Sequence, residues 1–355
     1  MSGRLLRLVC TAAIAAGTVL APLPAAAVPE PPEPGGRSVA ELLTDLQRLY
    51  QEAEQATETY NATEEELKKR RAEVRRLDTE LSRARLSLHD SRGAAGRLAR
   101  QQYQNSTDIS PYVRLLLARD PQHALDQGHV IGQLVRERAE TVGRLTGSEK
   151  KADDLAREAR KALDGQLTLA ARQKKERDAV HKRLKEVEEL LASLTAEQLT
   201  ALAEFEEKGI AKAQDKLITS GALSSEREPS PRGDRALRYA VRQLGKPYEW
   251  GAEGPKTYDC SGLTSEAWKH AGTPIPRTSQ EQWDRLERIP LDELRPGDLV
   301  IYHPDATHVA IYMGEGEVIE APRPGGKIKI SPIASYPILG AVRPKEPTST
   351  AAEPQ

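Results

Sequence analysis

The chain has 355 residues, enough for two domains, yet only 4 % are aromatic, 30 % are charged and the mean hydropathy is −0.59, which does not suit two compact cores. A formal net charge of −1 argues against nucleic acid as a partner. All three tryptophans, Trp250, Trp268 and Trp283, lie after residue 245, so a compact domain is expected in the last third and something less globular before it.

Residues 1–27 carry Arg4 and Arg7, an apolar run, and then Ala25-Ala26-Ala27, the pattern of a secretory leader with a small-residue cleavage site. The mature chain is expected to begin near Val28 and to be secreted, extracellular or cell-wall associated. No later stretch approaches the roughly 20 apolar residues of a membrane span. Residues 28–37 are a Pro-rich lead-in.

From residue 38 the pattern becomes heptad-like. Val39, Leu42, Leu46, Leu49, Ala53, Ala56, Tyr60, Thr63, Leu67, Val74, Leu77, Leu81, Ala84 and Leu88 follow alternating spacings of three and four, a coiled-coil seam with Arg70 as the exception. Such a helix is roughly 75 Å long. Between residues 91 and 121, Gly93, Gly96, Asn105, Pro111 and Pro121 mark a turn-round containing the short apolar piece Tyr112 to Ala118. A second long helix is expected from Gln122 to Lys208, with Val180, Leu184, Val187, Leu191, Leu194, Ala201 and Phe205 as its seam and bends at Gly128, Gly132, Gly143, Gly147 and Gly165. Two seams joined by a reversal suggest an antiparallel hairpin over residues 38–208, although the seam alone also fits a parallel homodimer. His89, His123, His129 and His181 fall in these helices and are read as solvent-facing.

Residues 209–233, with Ser220-Gly221 and Pro229-Ser230-Pro231, read as a linker, residues 234–344 as a compact domain and residues 345–355 as a disordered tail. In the compact domain a first helix spans Ala236 to Leu244, a second runs from Ser261 to Gly272 with Asp259 as its cap, and a third covers Ser279 to Arg288. Strands are expected at Leu299–Tyr302, Thr307–Met313, Glu317–Ala321, Lys327–Ile330 and Gly340–Val342. Helices followed by short strands with glycine turns indicate a small α+β domain with an antiparallel sheet.

Cys260 is the one cysteine outside the leader, where Cys10 lies, and an unpaired cysteine in an oxidising exterior points to a working thiol. It would open a helix, where the macrodipole favours thiolate. Asp259 beside it opposes that ionisation, so the carboxylate is assigned to capping and to substrate recognition. A thiol nucleophile needs a base and a group that orients the base. His270 lies about 15 Å along the cysteine's own helix and cannot serve. His303 precedes Pro304 in a turn, whereas His308 opens a strand, and Glu320 is its neighbour one strand later. Spacing alone leaves this set in balance with a structural cysteine and a surface histidine. Cys260, His303 and His308 lack a fourth ligand at zinc-site spacing, so neither metal nor cofactor is expected.

The runs Leu244-Gly245-Lys246-Pro247-Tyr248-Glu249-Trp250-Gly251, Asp259-Cys260-Ser261-Gly262-Leu263, Pro276-Arg277-Thr278-Ser279-Gln280, Pro296-Gly297-Asp298-Leu299 and His308-Val309-Ala310-Ile311-Tyr312 together resemble the NlpC family (also written NlpC/p-sixty) of papain-like cell-wall cysteine peptidases. The resemblance covers residues 234–344 and implies a papain-like fold, with Cys260 as nucleophile, His308 as base and Glu320 where the family often has histidine. It also implies that Tyr248, Asp259, Ser261 and Ser279 contact substrate. The implied reaction is cleavage of peptidoglycan stem peptides at the bond between D-γ-glutamate and a diamino acid. An acyl-transfer or amidase reaction on the same fold, and an exported scaffold with a wall-binding C-terminal domain, are the rival readings. The coiled coil is expected to regulate the site and to bind a membrane or division-complex protein.

Overall fold

The computed structural model describes residues 38–105, 113, 120–223 and 227–345. The expected leader, the Pro-rich lead-in, the turn-round piece other than Val113, and residues 346–355 of the tail lie outside the described residues. The chain forms two compact units, one of residues 66–171 and the other of residues up to 65 together with 172 onward. No helix among the described residues is long and apolar enough to cross a membrane.

Two helices, α1 (Val39–Asn105) and α2 (Pro121–Ala192), supply nearly all the described residues of the unit 66–171. There Ser91 meets Ser148 at 3.1 Å and Arg92 donates to Glu149 at 3.0 Å, and the Arg70 side chain lies against Gly165. Rising numbers on α1 thus face falling numbers on α2, which is antiparallel pairing within the chain. The buried positions Leu67, Leu77, Leu81 and Ala84 are seam residues expected from the heptads. The helix continues through Gly93 and Gly96 and ends at Asn105, so these glycines are not stops.

In the other unit, the second long helix ends at Ala192, and a third, α3 (Ala196–Thr219), begins at Thr195. The cause is a capping box: Thr195 Oγ1 accepts from the Gln198 amide at 3.2 Å, and Gln198 Oε1 accepts from the Thr195 amide at 3.0 Å. The helix α3 runs past residue 209 to Thr219, so the first part of the expected linker is helical. Leu202 of α3 packs with Leu42, Leu43 and Leu46 of α1 and Val187 of α2 into one apolar cluster.

The same unit holds the α+β domain, with helices α4 (Pro231–Val241), α5 (Cys260–His270) and α6 (Ser279–Arg285). Its strands are β1 (Glu287–Ile289), β2 (Leu299–Tyr302), β3 (His308–Gly314), β4 (Glu317–Glu320), β5 (Lys329–Pro332) and β6 (Ile338–Arg343). Their order is β1-β6-β2-β3-β4-β5 and every neighbouring pair is antiparallel. The third helix stops at Arg285, three residues before the expected end, because Glu287–Ile289 pairs with Arg343–Ala341 as an edge strand.

Alternation along the strands builds two cores. Leu299, Ile301, Val309, Ile311 and Ile319 pack on Ala236 and Ala240 of α4 and on Leu263, Ala267 and Trp268 of α5. Val300, Tyr302, Ala310, Tyr312 and Val318 form the opposite face with Ile333 and Leu294. Trp268 is buried and donates its indole N–H to the Gly297 carbonyl at 3.1 Å, locking α5 to the turn into β2.

Helix α5 begins where it does because Asp259 leaves the chain extended and its Oδ1 accepts from the Gly262 amide at 2.6 Å. Gly262 has no alternative, since a Cβ there would stand 2.2 Å from the Ala252 carbonyl oxygen, a backbone atom that cannot swing away. Gly262→Ala is therefore expected to destabilise the α+β domain by about 2–3 kcal/mol. Urea unfolding followed by tryptophan fluorescence checks this, because all three tryptophans lie in that domain; an unchanged midpoint would remove the close-approach account.

Candidate active site

Cys260 is the first residue of α5 and is buried, with Asp259 behind it fully buried as well. Asp259 carries more than the cap. Its Oδ2 accepts from the Gly251 amide at 2.9 Å, and Arg277 donates to both carboxylate oxygens at 3.0 and 2.8 Å. Such a bidentate pair neutralises the carboxylate, which would otherwise lie uncompensated against the thiol. Arg277 belongs to the Pro276–Gln280 run, yet its role is visible only once the fold brings it to Asp259.

His308 opens β3 and is fully buried. Its Nε2 lies 3.0 Å from Glu320 Oε2 on β4. Glu320 is itself fixed by the Ser331 hydroxyl, which donates to Oε1 from β5, and Lys329 stands 3.9 Å from the same oxygen. Burial pushes the Glu320 carboxyl up, but the bond to His308, the imidazole charge and Lys329 overcome it and hold the group below its ordinary value. With Nε2–H directed at Glu320, the neutral ring presents Nδ1 as its acceptor, and His308 interacts with the Cys260 thiol. Tyr248 is buried close enough to Cys260 and Asp259 that, after burial itself, their charges push its hydroxyl further up.

Over this set lies one face of α1. Asn61 donates to Asp259 Oδ2 at 3.0 Å. Glu58 Oε1 accepts from the Ser261 hydroxyl at 2.7 Å and lies 3.9 Å from Cys260 Sγ, while Glu58 Oε2 accepts from the Ser279 amide at 2.8 Å. Glu54 Oε1 is 3.3 Å from His308 Nδ1, the geometry of an ion pair more than of an aligned hydrogen bond. These three side chains are at most 5 % exposed. Nearby, Trp250 meets Tyr60 and His181 edge-on, at 5.2 and 5.3 Å between ring centres. His181 therefore does more than face solvent.

The electrostatic result is a resting thiol. Burial, then the charges of Glu58 and Asp259, push Cys260 up to about 12 against the downward pull of His308. Burial pulls His308 down, but Glu54, Cys260 and Glu320 outweigh it and hold the ring well above its ordinary value, as a cation between two carboxylates. A protonated imidazole cannot accept the thiol proton.

Every site residue singled out from the sequence thus gathers in one place: Cys260, His308, Glu320, Tyr248, Asp259, Ser261 and Ser279. Ser279 does not cap its helix; Thr278 does, accepting from the Glu281 amide at 3.3 Å. His303 stands in a left-handed turn at φ 63° beside Tyr336, and His270 stacks on Tyr239 at the far end of α5. The residues not foreseen are Arg277, Glu54, Glu58 and Asn61. A signal for the last three existed: residues 49–67 contain six glutamates and no lysine or arginine, in a helix whose remaining residues are twelve basic to six acidic.

A cysteine at a helix start, facing a histidine from an antiparallel sheet with a carboxylate behind the ring, defines the papain-like class of thiol hydrolases. Residues 245–339 match the NlpC/P60 family model, and the chain carries a domain of that family at its C-terminus. A probable endopeptidase of Corynebacterium glutamicum is 38 % identical over 128 residues, covering 36 % of this chain and 61 % of that protein. Peptidoglycan endopeptidase RipA of Mycobacterium tuberculosis is 34 % identical over 164 residues, covering 40 % of this chain and 35 % of RipA. The crystal structure of the NlpC/p60 domain of peptidoglycan hydrolase SagA is 30 % identical with a TM-score of 0.30, over 31 % of this chain and 97 % of that one. The chain thus spans less than two thirds of the length of the curated relatives it matches.

Docking of α1 is linked to protons. Burial and Asp259 raise the Glu58 carboxyl from its ordinary 4.5 to about 7, against Arg277, Ser261 and Ser279. Released, Glu58 returns to its ordinary value, so between about 4.5 and 7 docking takes up a proton and weakens as pH rises. The raised His308 acts in the same direction, losing its pairing to Glu54 as pH climbs through its folded value. Alkylation of Cys260, mapped by mass spectrometry, should be slower in the natural chain than in Glu58→Ala, and this protection should be greater at pH 5.5 than at pH 7.5. A ratio of the two rates that is flat with pH would contradict the linkage.

Proposed function

We propose that this chain is an exported peptidoglycan endopeptidase that cleaves stem peptides, at the bond between D-γ-glutamate and a diamino acid, through Cys260, and that α1 holds it inactive until released. The observation that carries the catalytic half is the line of Cys260, His308 and Glu320 in a domain of the NlpC family. The description of RipA as a peptidoglycan endopeptidase supports the substrate class, and that of the Corynebacterium relative, a probable endopeptidase, supports the reaction.

Once α1 leaves, water reaches the cleft and the charges of Glu54 and Glu58 are gone. His308 Nδ1 then accepts the Cys260 proton, and Glu320 stabilises the imidazolium that forms. The thiolate attacks the scissile carbonyl carbon, and first-turn amides of α5 that the Asp259 cap does not use face the developing oxyanion. Collapse expels the amine, which takes its proton from His308 and leaves a thioester on Cys260. His308 next removes a proton from water, the hydroxide attacks the thioester, and the thiol is regenerated as the new carboxylate departs.

The regulatory half rests on the glutamates of α1. They fill hydrogen-bonding positions at Ser261 and Ser279 that a substrate carboxylate would use, and they keep the base protonated. A partner at the membrane or in the division machinery that binds the helical hairpin would then supply the release.

Cys260→Ala and His308→Ala are each expected to abolish muropeptide cleavage, and retained activity in either would overturn the assignment and favour a wall-binding scaffold. Glu320→Ala should leave a residual rate, lowered by about 10²-fold or more, because the base remains but loses its orienting group. A mature chain carrying Glu54→Ala, Glu58→Ala and Asn61→Ala should digest purified sacculi about ten-fold or more faster than the natural chain. Digestion no faster than natural would remove the case for inhibition by α1, and mass analysis of the products identifies the bond and separates endopeptidase from amidase or acyl transfer.

A further inference from the structure

The face that α1 presents to the domain reads along the cleft in order. Asn61 meets Asp259, Glu58 meets Ser261 and Ser279, Glu54 meets His308, and Tyr50 meets Arg323, whose guanidinium carbon stands 4.8 Å from the tyrosine ring centre. The helix rise puts Tyr50 about 6 Å beyond Glu54 and about 12 Å beyond Glu58. Arg323 therefore lies past His308, on the side away from Asp259 and Ser279.

Arg323 follows Glu320 by three residues, in a turn closed by the Gly326 amide donating to the Arg323 carbonyl at 2.9 Å. Its two terminal nitrogens donate to the two oxygens of Glu206 on α3, at 3.1 and 3.3 Å, the fork geometry with which arginine reads a carboxylate. A cavity of about 280 Å³ separates Arg323 from Glu54 and is walled further by His303 and Tyr336. Glu206 and Tyr50 both come from helices outside residues 245–339. When those helices withdraw, the cleft keeps the guanidinium and loses this carboxylate partner.

We infer that Arg323 is a specificity residue that binds a substrate carboxylate on the leaving-group side of the scissile bond, and that Glu206 stands in for that carboxylate while the helices are docked. The side follows from the chemistry, because the departing nitrogen must take its proton from His308, so the departing residue begins at the imidazole and extends toward Arg323. An extended peptide covers 3.3–3.6 Å per residue. About 6 Å beyond the base is therefore one to two residues into the leaving group. Resting on the peptidoglycan reading, the carboxylate is either the side-chain carboxylate of the diamino acid or the terminal carboxylate of the residue after it.

The test uses the mature chain released by Glu54→Ala, Glu58→Ala and Asn61→Ala. Its substrates are L-alanyl-γ-D-glutamyl-diaminopimelyl-D-alanine peptides with all carboxylates free, with the diaminopimelate side-chain carboxylate amidated, or with the terminal carboxylate amidated. The free acid should be cleaved with a kcat/KM about ten-fold or more above one of the amides, mainly through KM, and the amide that suffers identifies which carboxylate is bound. Adding Arg323→Ala should bring the free acid down to the level of that amide, Arg323→Lys should restore part of the preference, and Glu206→Ala should lower KM for the free acid alone. Equal cleavage of acid and amides by the released chain, or an Arg323→Ala effect of equal size on all three peptides, would overturn the inference and leave Arg323 as a clamp for α3. Failure to cleave any of the peptides or sacculi would overturn the endopeptidase reading itself, a result distinct from cleavage without preference.

Discussion

The Asp259–Arg277 pair is the interaction on which the site depends. Both groups are buried, and the one carboxylate caps α5, holds the Gly251 loop and fixes the guanidinium, so three separate segments meet at a single charge. Breaking such a pair leaves an uncompensated buried ion and costs about 3–5 kcal/mol, which makes its geometry hard to relax. Arg277 serves a second purpose, because its charge also offsets Glu58, which without it would face Asp259 alone. Cys260 is thus positioned by an ion pair that lies behind it. Within the same pair Arg277 draws Glu58 toward its charged form while Asp259 opposes it.

Much of the domain could be read before folding. The strands Leu299–Tyr302 and His308–Gly314 were legible as short apolar runs bounded by turns, because both faces of the sheet are buried there, whereas the β5 strand begins two residues later than expected. The heptad seam marked Leu42, Leu46, Leu67, Leu77 and Ala84 as buried because they pack helix on helix in ordinary fashion. Glu287 and Arg288 of the edge strand read as the end of a helix because three residues with two charges have no period of their own; only pairing with β6 makes Glu287–Ile289 a strand. Likewise Gly93 and Gly96 read as stops, yet a long helix with a packed partner absorbs the cost of about 1 kcal/mol that each glycine imposes. The break at Thr195 was legible in its Thr-x-x-Gln box, but the seam spacing continued through it and outweighed the cap.

The site divides in the same way. Cys260, His308 and Glu320 were candidates because a thiol nucleophile needs a base and an orienting group, but spacing left them in balance with structural readings, and the resemblance to the NlpC family tipped it. Glu54, Glu58 and Asn61 escaped because polar residues on a coiled coil normally face water, and nothing local distinguishes a buried glutamate from a solvated one. What distinguishes them is tertiary: the domain supplies a hydroxyl, an amide and an imidazole at the places where the helix supplies acceptors. Arg277 escaped for the complementary reason, since its partner lies eighteen residues away and on another element.

The spacing of the α1 residues that enter the cleft has a mechanical meaning. Tyr50, Glu54, Glu58 and Asn61 recur at intervals of four, four and three, so they project from one edge of a rigid rod, like the teeth of a rack. An α-helix advances about 100° per residue. Turning that rod by a single residue's angle carries all four side chains out of register with Arg323, His308, Ser261 and Asp259 together, without unwinding a turn or lengthening the chain. Torque delivered along such a helix would unlock the cleft in one step, whereas a pull along its axis must break the contacts while sliding each tooth past the next.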